Sequence, residues 1–225
     1  MNNKNLEKLK KIVLDSYELT AEHFSSTRSK VAAPDFIWAS EQVKADDLVL
    51  DAGCGNGRLL DYVKLPVNQY LGLDQSISLI KIARELHKGH KFTLGELSDK
   101  DNYPTNTFSL IFCSAVLSHI PGKKERQKVL KNFFDASKTD GRLLVSFWKM
   151  DKKYKQKTRF RLGSLLLSKR ELIFPWKDAS GKQICLRYYH LFSKRSFKRE
   201  IVKAGWKIEQ EKDDKYNYWL IAGKK

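Results

Sequence analysis

A chain of 225 residues has the length of one α/β domain, and its 41% hydrophobic and 12% aromatic content supplies a core and excludes wholesale disorder. Three widely spaced cysteines without a CxxC pair exclude a disulfide framework and disfavour a cysteine zinc site, and no apolar run approaches the ~18 residues of a membrane span. The net charge of +17 favours polyanionic partners such as nucleic acid, although a solubilised lysine-rich surface carries the same charge.

The predicted elements begin with two helices and continue as an alternation of strands and helices. Residues 1–11 are polar and lysine-rich, unlike a secretory signal, so we expect a reduced, cytoplasmic protein with no membrane partner. Apolar residues at helical spacing over residues 6–24 and 36–43, separated by a polar loop at 25–30, predict a helical extension over residues 1–45. The following strands are predicted at 47–51, 70–74, 92–94, 108–114 and 142–148, with helices at 58–63, 77–87 and 125–137. Such alternation is typical of a parallel sheet covered on both faces.

The end of the chain departs from this alternation. Two β-like runs at residues 206–211 and 217–222, joined by a polar turn, predict an antiparallel hairpin. The region between the fifth strand and this end, residues 149–184, is a basic insertion that carries nine lysines and arginines against one acid up to residue 170. We expect residues 1–225 to form a single α/β domain.

A glycine-rich loop with the sequence DAGCGNG, residues 51–57, follows the first predicted strand and opens a predicted helix. Glycines allow a tight turn and close approach of a ligand, and the N–H groups of a helix start favour an anionic or polar group. Asp74 lies 17 residues beyond Gly57, at the end of the second strand, where a carboxylate can accept hydrogen bonds from both hydroxyls of a ribose. A bare tight turn is the alternative, but the loop, the helix start and Asp74 coincide.

The glycine spacing distinguishes two kinds of nucleotide cofactor. The loop reads G-x-G-x-G, whereas the dinucleotide fingerprint reads G-x-G-x-x-G, so its third glycine is misplaced for a pyrophosphate. A nucleoside that carries an amino-acid tail fits this loop better than a dinucleotide does.

The strings DAGCGNG and YLGLDQS resemble the cofactor-binding half of class I S-adenosylmethionine-dependent methyltransferases, over about residues 48–148. The resemblance implies a Rossmann-like, seven-stranded, mostly parallel sheet with a C-terminal antiparallel hairpin, and S-adenosylmethionine as cofactor. The residues that it assigns to the cofactor are Asp51, Gly53, Gly55, Gly57, Asp74, Gln75, Glu96 and Leu97. Glu96 stands where that family more often has aspartate.

Three further strings, HFSSTRSK at 23–30, AVLSHI at 115–120 and RYYHLF at 187–192, resemble the tRNA wobble-uridine carboxymethyl methyltransferases, which include the methyltransferase domain of the AlkB-like tRNA enzymes. Those enzymes usually have two histidines where this chain has Ser118 and His119. The resemblance implies that a carboxylate on a modified uridine becomes a methyl ester, with the tRNA anticodon arm as partner. In some eukaryotic relatives a small zinc-binding activator subunit is also present. Each string also has a purely structural interpretation, as a helix end, a buried histidine or an edge strand with packed aromatics.

A carboxylate acceptor needs alignment rather than a strong base, because it is already ionised at neutral pH. Cationic and hydroxyl donors can hold it by charge-assisted hydrogen bonds and leave one lone pair free. The candidate catalytic residues are Arg28, His119, Arg187, Tyr188 and His190, with Tyr189 as a hydroxyl donor or stacking surface. Arg28 is an equal candidate for clamping the cofactor's own carboxylate, and no metal is expected.

Two other functions remain open at this point. One is methylation of a small-molecule carboxyl, hydroxyl or amine, with the positive charge incidental. The other is a non-catalytic RNA-binding protein, which the intact glycine loop and Asp74 disfavour because RNA binding alone requires neither. In the leading hypothesis the basic insertion, with Lys152, Lys153 and Lys155, holds phosphates of the anticodon arm.

Overall fold

The computed structural model describes residues 3–28, 34–149, 170–177 and 180–224, except the side chains of residues 27, 28, 34 and 35. Within these ranges the α-helices are α1 (Asn3–Arg28), α2 (Pro34–Ser40), α3 (Ile77–Leu86), α4 (Lys123–Ala136) and α5 (Lys194–Lys203). The strands are β1 (Val49–Ala52), β2 (Tyr70–Asp74), β3 (Lys91–Leu94), β4 (Phe108–Cys113), β5 (Ser137–Trp148), β6 (Glu171–Lys177), β7 (Gln183–His190), β8 (Lys207–Asp213) and β9 (Asn217–Gly223).

Seven of these strands form one sheet, in the order β3-β2-β1-β4-β5-β9-β8. The pairings from β3 to β5 are parallel, and β9 runs antiparallel between β5 and β8. Strands β1 and β4 are apolar and buried along nearly their whole length, as expected for central strands of a sheet covered on both faces. The predicted α/β fold, with its mostly parallel seven-stranded sheet, C-terminal hairpin and N-terminal helix, is confirmed.

The sheet is covered on each face by an apolar layer. One cluster, around Phe133, Phe197 and Trp206, joins α4 and α5 to the sheet. The other, around Phe36 and Trp219, covers the opposite face with α2 and α3. Packing on both faces holds the strand ends in fixed positions, and the site is built on these ends.

Two predicted local structures differ from the observed ones. The segment predicted as a helix at 58–63 is a single 3-10 turn, Arg58–Asp61. The polar loop predicted at 25–30 is partly helical, since α1 continues to Arg28. Serine and threonine there favour a helix end without requiring one.

A second, two-stranded sheet consists of β6 and β7 and lies partly within the region predicted as a basic insertion. Its strands pack against α1 through a small apolar cluster of Leu9, Val13, Ile173 and Tyr188. The N-terminal helix and this hairpin therefore form one layer. Residues 150–169, which carry most of the insertion's lysines, lie outside the described part of the chain.

Candidate active site

A cavity of about 620 Å³ lies at the carboxyl ends of the parallel strands, within the size range of small-molecule sites. One wall consists of the chain segments that follow β1, β2, β3 and β4, and the other comes from α1, β6 and β7. Parallel strands bring their carboxyl ends to a single edge, which is where open α/β sheets bind ligands. The glycine loop and the RYYHLF segment, far apart in sequence, thus face the same space.

Two of the three loop glycines line this cavity. Gly53 and Gly55 have φ angles of 75° and 57°, in the left-handed region that favours glycine. A Cβ on Gly53 would lie 2.4 Å from Val116, so the loop turns against the exit of β4 without room for a side chain. Gly57 is outside the cavity wall, and a Cβ there would lie 2.7 Å from His87 and 3.0 Å from Phe92. Gly57 therefore permits packing beneath the loop rather than ligand contact.

Asp74 connects the end of β2 to the glycine loop. Its Oδ2 accepts a hydrogen bond from the Gly55 N–H at 2.9 Å, and its Oδ1 accepts one from the Ser76 N–H at 2.9 Å. Burial raises the pKa of this carboxyl, and the two backbone hydrogen bonds act in the opposite direction. Each oxygen keeps a second lone pair, so the fixed carboxylate can still accept from two ligand hydroxyls.

The residues expected beside an adenosine, Gln75, Glu96 and Leu97, line the same cavity as Asp74. A carboxylate that can accept from ribose hydroxyls, a glycine loop that lets a ligand approach the backbone, and an apolar wall are the features that S-adenosylmethionine requires, so the residues present fit this cofactor. The Lys10 ammonium also lies here, 3.5 Å from Glu96 and 3.4 Å from Glu125.

Asp51 is a buried carboxyl on the cavity wall, only 4% exposed. The hydroxyl of Tyr70 donates to its Oδ2 at 2.8 Å. Burial raises the pKa of Asp51 to about 7, while the hydrogen bond from Tyr70 lowers it and the nearby Asp74 raises it. In the unliganded protein, burial therefore disfavours ionisation of Asp51. A cationic ligand nearby would stabilise the ionised form.

This raised pKa predicts a pH dependence of stability. Between its unfolded pKa near ~4 and its folded pKa of about 7, Asp51 binds more protons in the folded state, so its contribution to stability is lost as pH rises through about 7. Asp51→Asn removes this titration and keeps an acceptor for Tyr70. From about pH 5 to about pH 8 we expect wild type to lose roughly 1–3 kcal/mol more unfolding free energy than the variant. Urea unfolding of both unliganded proteins measures this; parallel pH dependences would contradict it.

His119 lies between the two walls of the cavity. Its Nδ1 lies 3.3 Å from the carbonyl oxygen of Tyr188, to which it can donate, and its Nε2 is hydrogen-bonded with the Tyr17 hydroxyl at 2.9 Å. The imidazole also packs on the Tyr189 ring, with centroids 4.2 Å apart. These contacts hold the imidazole at the cavity and join α1, the exit of β4 and β7.

Arg187 contributes a buried cation to the cavity wall and is only 4% exposed. Its Nη2 donates to the Thr20 hydroxyl at 3.2 Å, and its guanidinium carbon lies 3.8 Å from the centroid of the Trp176 ring. The Cys185 thiol is a weak further partner. Among the described residues no carboxylate forms an ion pair with Arg187, and its buried Nε has no acceptor. A buried charge is costly without a counterion, so this arrangement suits an anionic ligand.

Two residues that were expected to contact the acceptor do not face the cavity. Tyr188 and His190 do not line the cavity, because side chains alternate along β7 and Arg187 and Tyr189 take the cavity side. The Tyr188 hydroxyl donates to Glu171 at 3.1 Å. Burial, together with nearby Arg126 and Arg170, lowers the pKa of His190 to about 3, so it is neutral. Both residues support the hairpin rather than contact a cavity ligand.

Other expectations concern residues or side chains that the structure does not describe. The side chain of Arg28 is not described, so neither of its two expected roles is tested. Lys149, at the start of the basic insertion, pairs with Asp213 at 2.8 Å, and the lysines that follow lie at 150–169. In the described part of the chain no cluster of three or more His, Cys, Asp or Glu could hold a metal. None of its helices is long and apolar enough to cross a membrane.

The family model described as a methyltransferase domain matches residues 25–211, which contain the glycine loop, Asp74 and the β6–β7 hairpin. The chain belongs to the methyltransferase family. The expected enzyme class and cofactor are thereby confirmed at the level of the family.

Relatives of this methyltransferase include proteins named for tRNA methylation. The tRNA (carboxymethyluridine(34)-5-O)-methyltransferase of Schizosaccharomyces pombe is 26% identical over 233 residues, covering 92% of this chain and 94% of that protein. A protein of the same name from Arabidopsis thaliana is 33% identical over 146 residues, which are 62% of this chain and 33% of that protein. The resemblance to this group is confirmed.

A solved structure shows the same fold with a different acceptor. The 1,6-didemethyltoxoflavin-N1-methyltransferase of Burkholderia thailandensis, crystallised with S-adenosylhomocysteine, is 15% identical, with a TM-score of 0.65 and coverage of 94% of this chain and 87% of that one. The fold of this methyltransferase therefore does not identify what it methylates.

Several cavity residues of the methyltransferase were not expected from the sequence, among them Lys10, Tyr17 and Trp176. Lys10 and Tyr17 lie on α1, and Trp176 lies on β6. The only signal in the sequence is that residues 10, 13 and 17 share one face of a predicted helix. Nothing in the sequence shows that this face closes a site more than 30 residues away along the chain.

Proposed function

We propose that this methyltransferase esterifies the carboxylate of a carboxymethyl-type uridine at the wobble position of tRNA. The observation that carries the proposal is Arg187, a buried cation on the cavity wall with no carboxylate partner among the described residues. An acceptor carboxylate would supply the missing counterion. The names of the relatives and the net charge of +17 support tRNA as the molecule that carries it.

On the cofactor side, Asp74 accepts the ribose hydroxyls and Gln75, Glu96 and Leu97 enclose the adenosine. Gly53 and Gly55 let the amino-acid tail approach the backbone, and Asp51 stabilises its positive charge. When bound there, S-adenosylmethionine supplies an electrophilic methyl group on a sulfonium.

On the acceptor side, the residues align an anion and remove water. Arg187 holds one carboxylate oxygen by a charge-assisted hydrogen bond, which leaves the other oxygen free to take the methyl group. His119 is held in place by Tyr17 and the Tyr188 carbonyl and shapes the acceptor side of the site. No general base is needed, because an ionised carboxylate has no proton to lose.

The proposed binding of tRNA rests on the positive charge of the protein. The insertion at 149–184 binds phosphates of the anticodon arm and contributes affinity rather than base identity. The proposal places this reaction in the cytoplasm. Neither the family match nor the relatives' names indicate a zinc-binding activator subunit, so none is part of the proposal.

The experiment is incubation of the purified protein with S-adenosylmethionine and a tRNA that carries carboxymethyluridine, followed by mass spectrometry of its nucleosides. We expect the methyl ester of carboxymethyluridine to form. A methyl group on another tRNA nucleoside, or methylation of small carboxylates but not of tRNA, would contradict the proposed acceptor.

A further inference from the structure

The two helices on one face of the sheet carry a large part of the positive charge of the protein. Helix α4 has five lysines and arginines against two acids, and α5 has five against one. By contrast, α1 has five against four, and α3 on the opposite face has two against one. A surface charged only for solubility has both signs interspersed, so the excess on α4 and α5 requires another explanation.

A buried ion pair joins α4 and α5 side by side. Arg126 of α4 makes two hydrogen bonds of 2.9 Å with Glu200 of α5, and Gln127 donates to the Glu200 carbonyl at 2.9 Å. Asp135 is paired with Lys131 at 2.9 Å. Six exposed cations of the two helices form no ion pair with a described carboxylate, and we call them the α4–α5 basic face: Lys123, Lys124, Lys128, Arg195, Arg199 and Lys203.

The spacing of these cations destabilises the helices that carry them. Lys124 and Lys128 lie four residues apart on α4. On α5, Arg195, Arg199 and Lys203 follow one another at the same interval. Like charges four residues apart repel on a helix surface, and cations in a first turn oppose the helix dipole. Folding alone therefore does not account for this face.

The α4–α5 basic face begins at the edge of the cavity. Glu125 and Val129 of α4 line the cavity. At the start of α5, Ser193 and Lys194 surround a smaller cavity of about 200 Å³ together with Trp148, which also lines the large one. A helix of 14 residues such as α4 extends about 20 Å, a length that suits a polymer backbone rather than a small molecule. A polymer with one group in the cavity can thus lie along this face.

We propose that the α4–α5 basic face binds the phosphate backbone of the tRNA while the acceptor nucleotide occupies the cavity. This inference rests on the proposed function and adds a binding surface separate from the insertion at 149–184. Phosphates supply the missing counterions and relieve the repulsion between neighbouring cations. A membrane surface fits less well, because Val202 is the single large apolar side chain exposed on the described α4 and α5.

The test is a fourfold variant, Lys124→Gln, Lys128→Gln, Arg195→Gln and Arg199→Gln, compared with wild type in tRNA binding at several salt concentrations. Glutamine keeps a long helix-forming chain without the charge. We expect Kd for tRNA to rise about 10- to 100-fold at ~100 mM salt, and the slope of log affinity against log salt to become shallower by about 2–4. None of these four side chains lines the cavity, so cofactor affinity and kcat at saturating tRNA should match wild type. The midpoint of thermal unfolding should stay equal or rise, because repulsion is removed.

A matched variant removes the same charge elsewhere. Its four substitutions fall on exposed lysines that lie outside α4 and α5 and do not line the cavity: Lys64→Gln, Lys81→Gln, Lys88→Gln and Lys91→Gln. Because salt screens charges that do not contact the RNA, we expect its Kd for tRNA to stay within about threefold of wild type.

The outcomes separate this surface from the proposed reaction. If wild type forms the ester but the fourfold variant binds tRNA equally well, or the matched variant weakens binding as much, the inference is overturned and the proposed function stands. If wild type forms no ester but only the fourfold variant loses tRNA affinity, the proposed acceptor is wrong and the tRNA surface is supported. Binding of wild type to vesicles of equal parts phosphatidylcholine and phosphatidylserine, without binding to tRNA, would overturn the inference in favour of a membrane partner.

Discussion

Replacing Asp74 by asparagine should abolish measurable cofactor binding while leaving the protein folded. The side chain keeps its shape and one oxygen that accepts from the N–H of either Gly55 or Ser76, but its NH₂ group opposes the other N–H, and it loses the charge that makes hydrogen bonds to two ribose hydroxyls strong. At 1.5–3 kcal/mol for each hydrogen bond to a charged group, we expect affinity for S-adenosylmethionine to fall at least about 100-fold. Isothermal titration calorimetry measures this change.

A matched variant controls for the change in charge. Asp46 is exposed and lies outside the cavity, so Asp46→Asn alters net charge equally and should bind the cofactor as wild type does. Wild-type affinity in Asp74→Asn would show that the cofactor does not use this carboxylate. The assignment of the glycine-loop end of the cavity would then be wrong.

Replacing Arg187 by methionine should remove activity without destabilising the protein. Methionine keeps a flexible apolar chain over Trp176 and eliminates a buried guanidinium that has no carboxylate partner in the described structure. The Thr20 hydroxyl stays satisfied, because it donates to the Ser16 carbonyl at 2.7 Å. We expect kcat/KM for tRNA to fall at least about 1,000-fold, with cofactor affinity unchanged and unfolding free energy equal to or above that of wild type.

A second buried arginine provides the contrast. Arg126, 2% exposed, makes two hydrogen bonds of 2.9 Å with Glu200. Arg126→Met leaves this carboxylate buried and unpaired, so we expect a loss of about 3–5 kcal/mol of stability. Steady-state kinetics and urea unfolding of both variants separate the two roles. If Arg187→Met is destabilised as Arg126→Met is, Arg187 is structural; if it stays active, it does not hold the acceptor.

The cofactor end of the site was predictable because its chemistry is local. Gly53 and Gly55 need positive φ angles, and Asp74 ends a strand beside them, so residue type and order along the chain suffice. Gly57 shows the limit of this reasoning. Its φ of 78° also favours glycine, but it packs against His87, just after α3, and Phe92 of β3, and only tertiary packing reveals those contacts.

The acceptor end was predictable only in part, because strand register determines which side chains reach it. In the run RYYH, every residue can donate a hydrogen bond, and a shift of one position would exchange the cavity pair Arg187 and Tyr189 for Tyr188 and His190. The partner strand β6 was not predicted, since it contains Pro175 and follows a lysine-rich segment, and both features disfavour a strand. Trp176 was missed with it.

The central claim is that this protein makes a methyl ester on a tRNA carboxylate. The most direct measurement is mass spectrometry of tRNA nucleosides from source cells with and without the gene. We predict that loss of the gene removes the methyl ester of the wobble uridine and that the free acid accumulates in its place. An unchanged amount of ester, or loss of a different methylated nucleoside, would contradict the account.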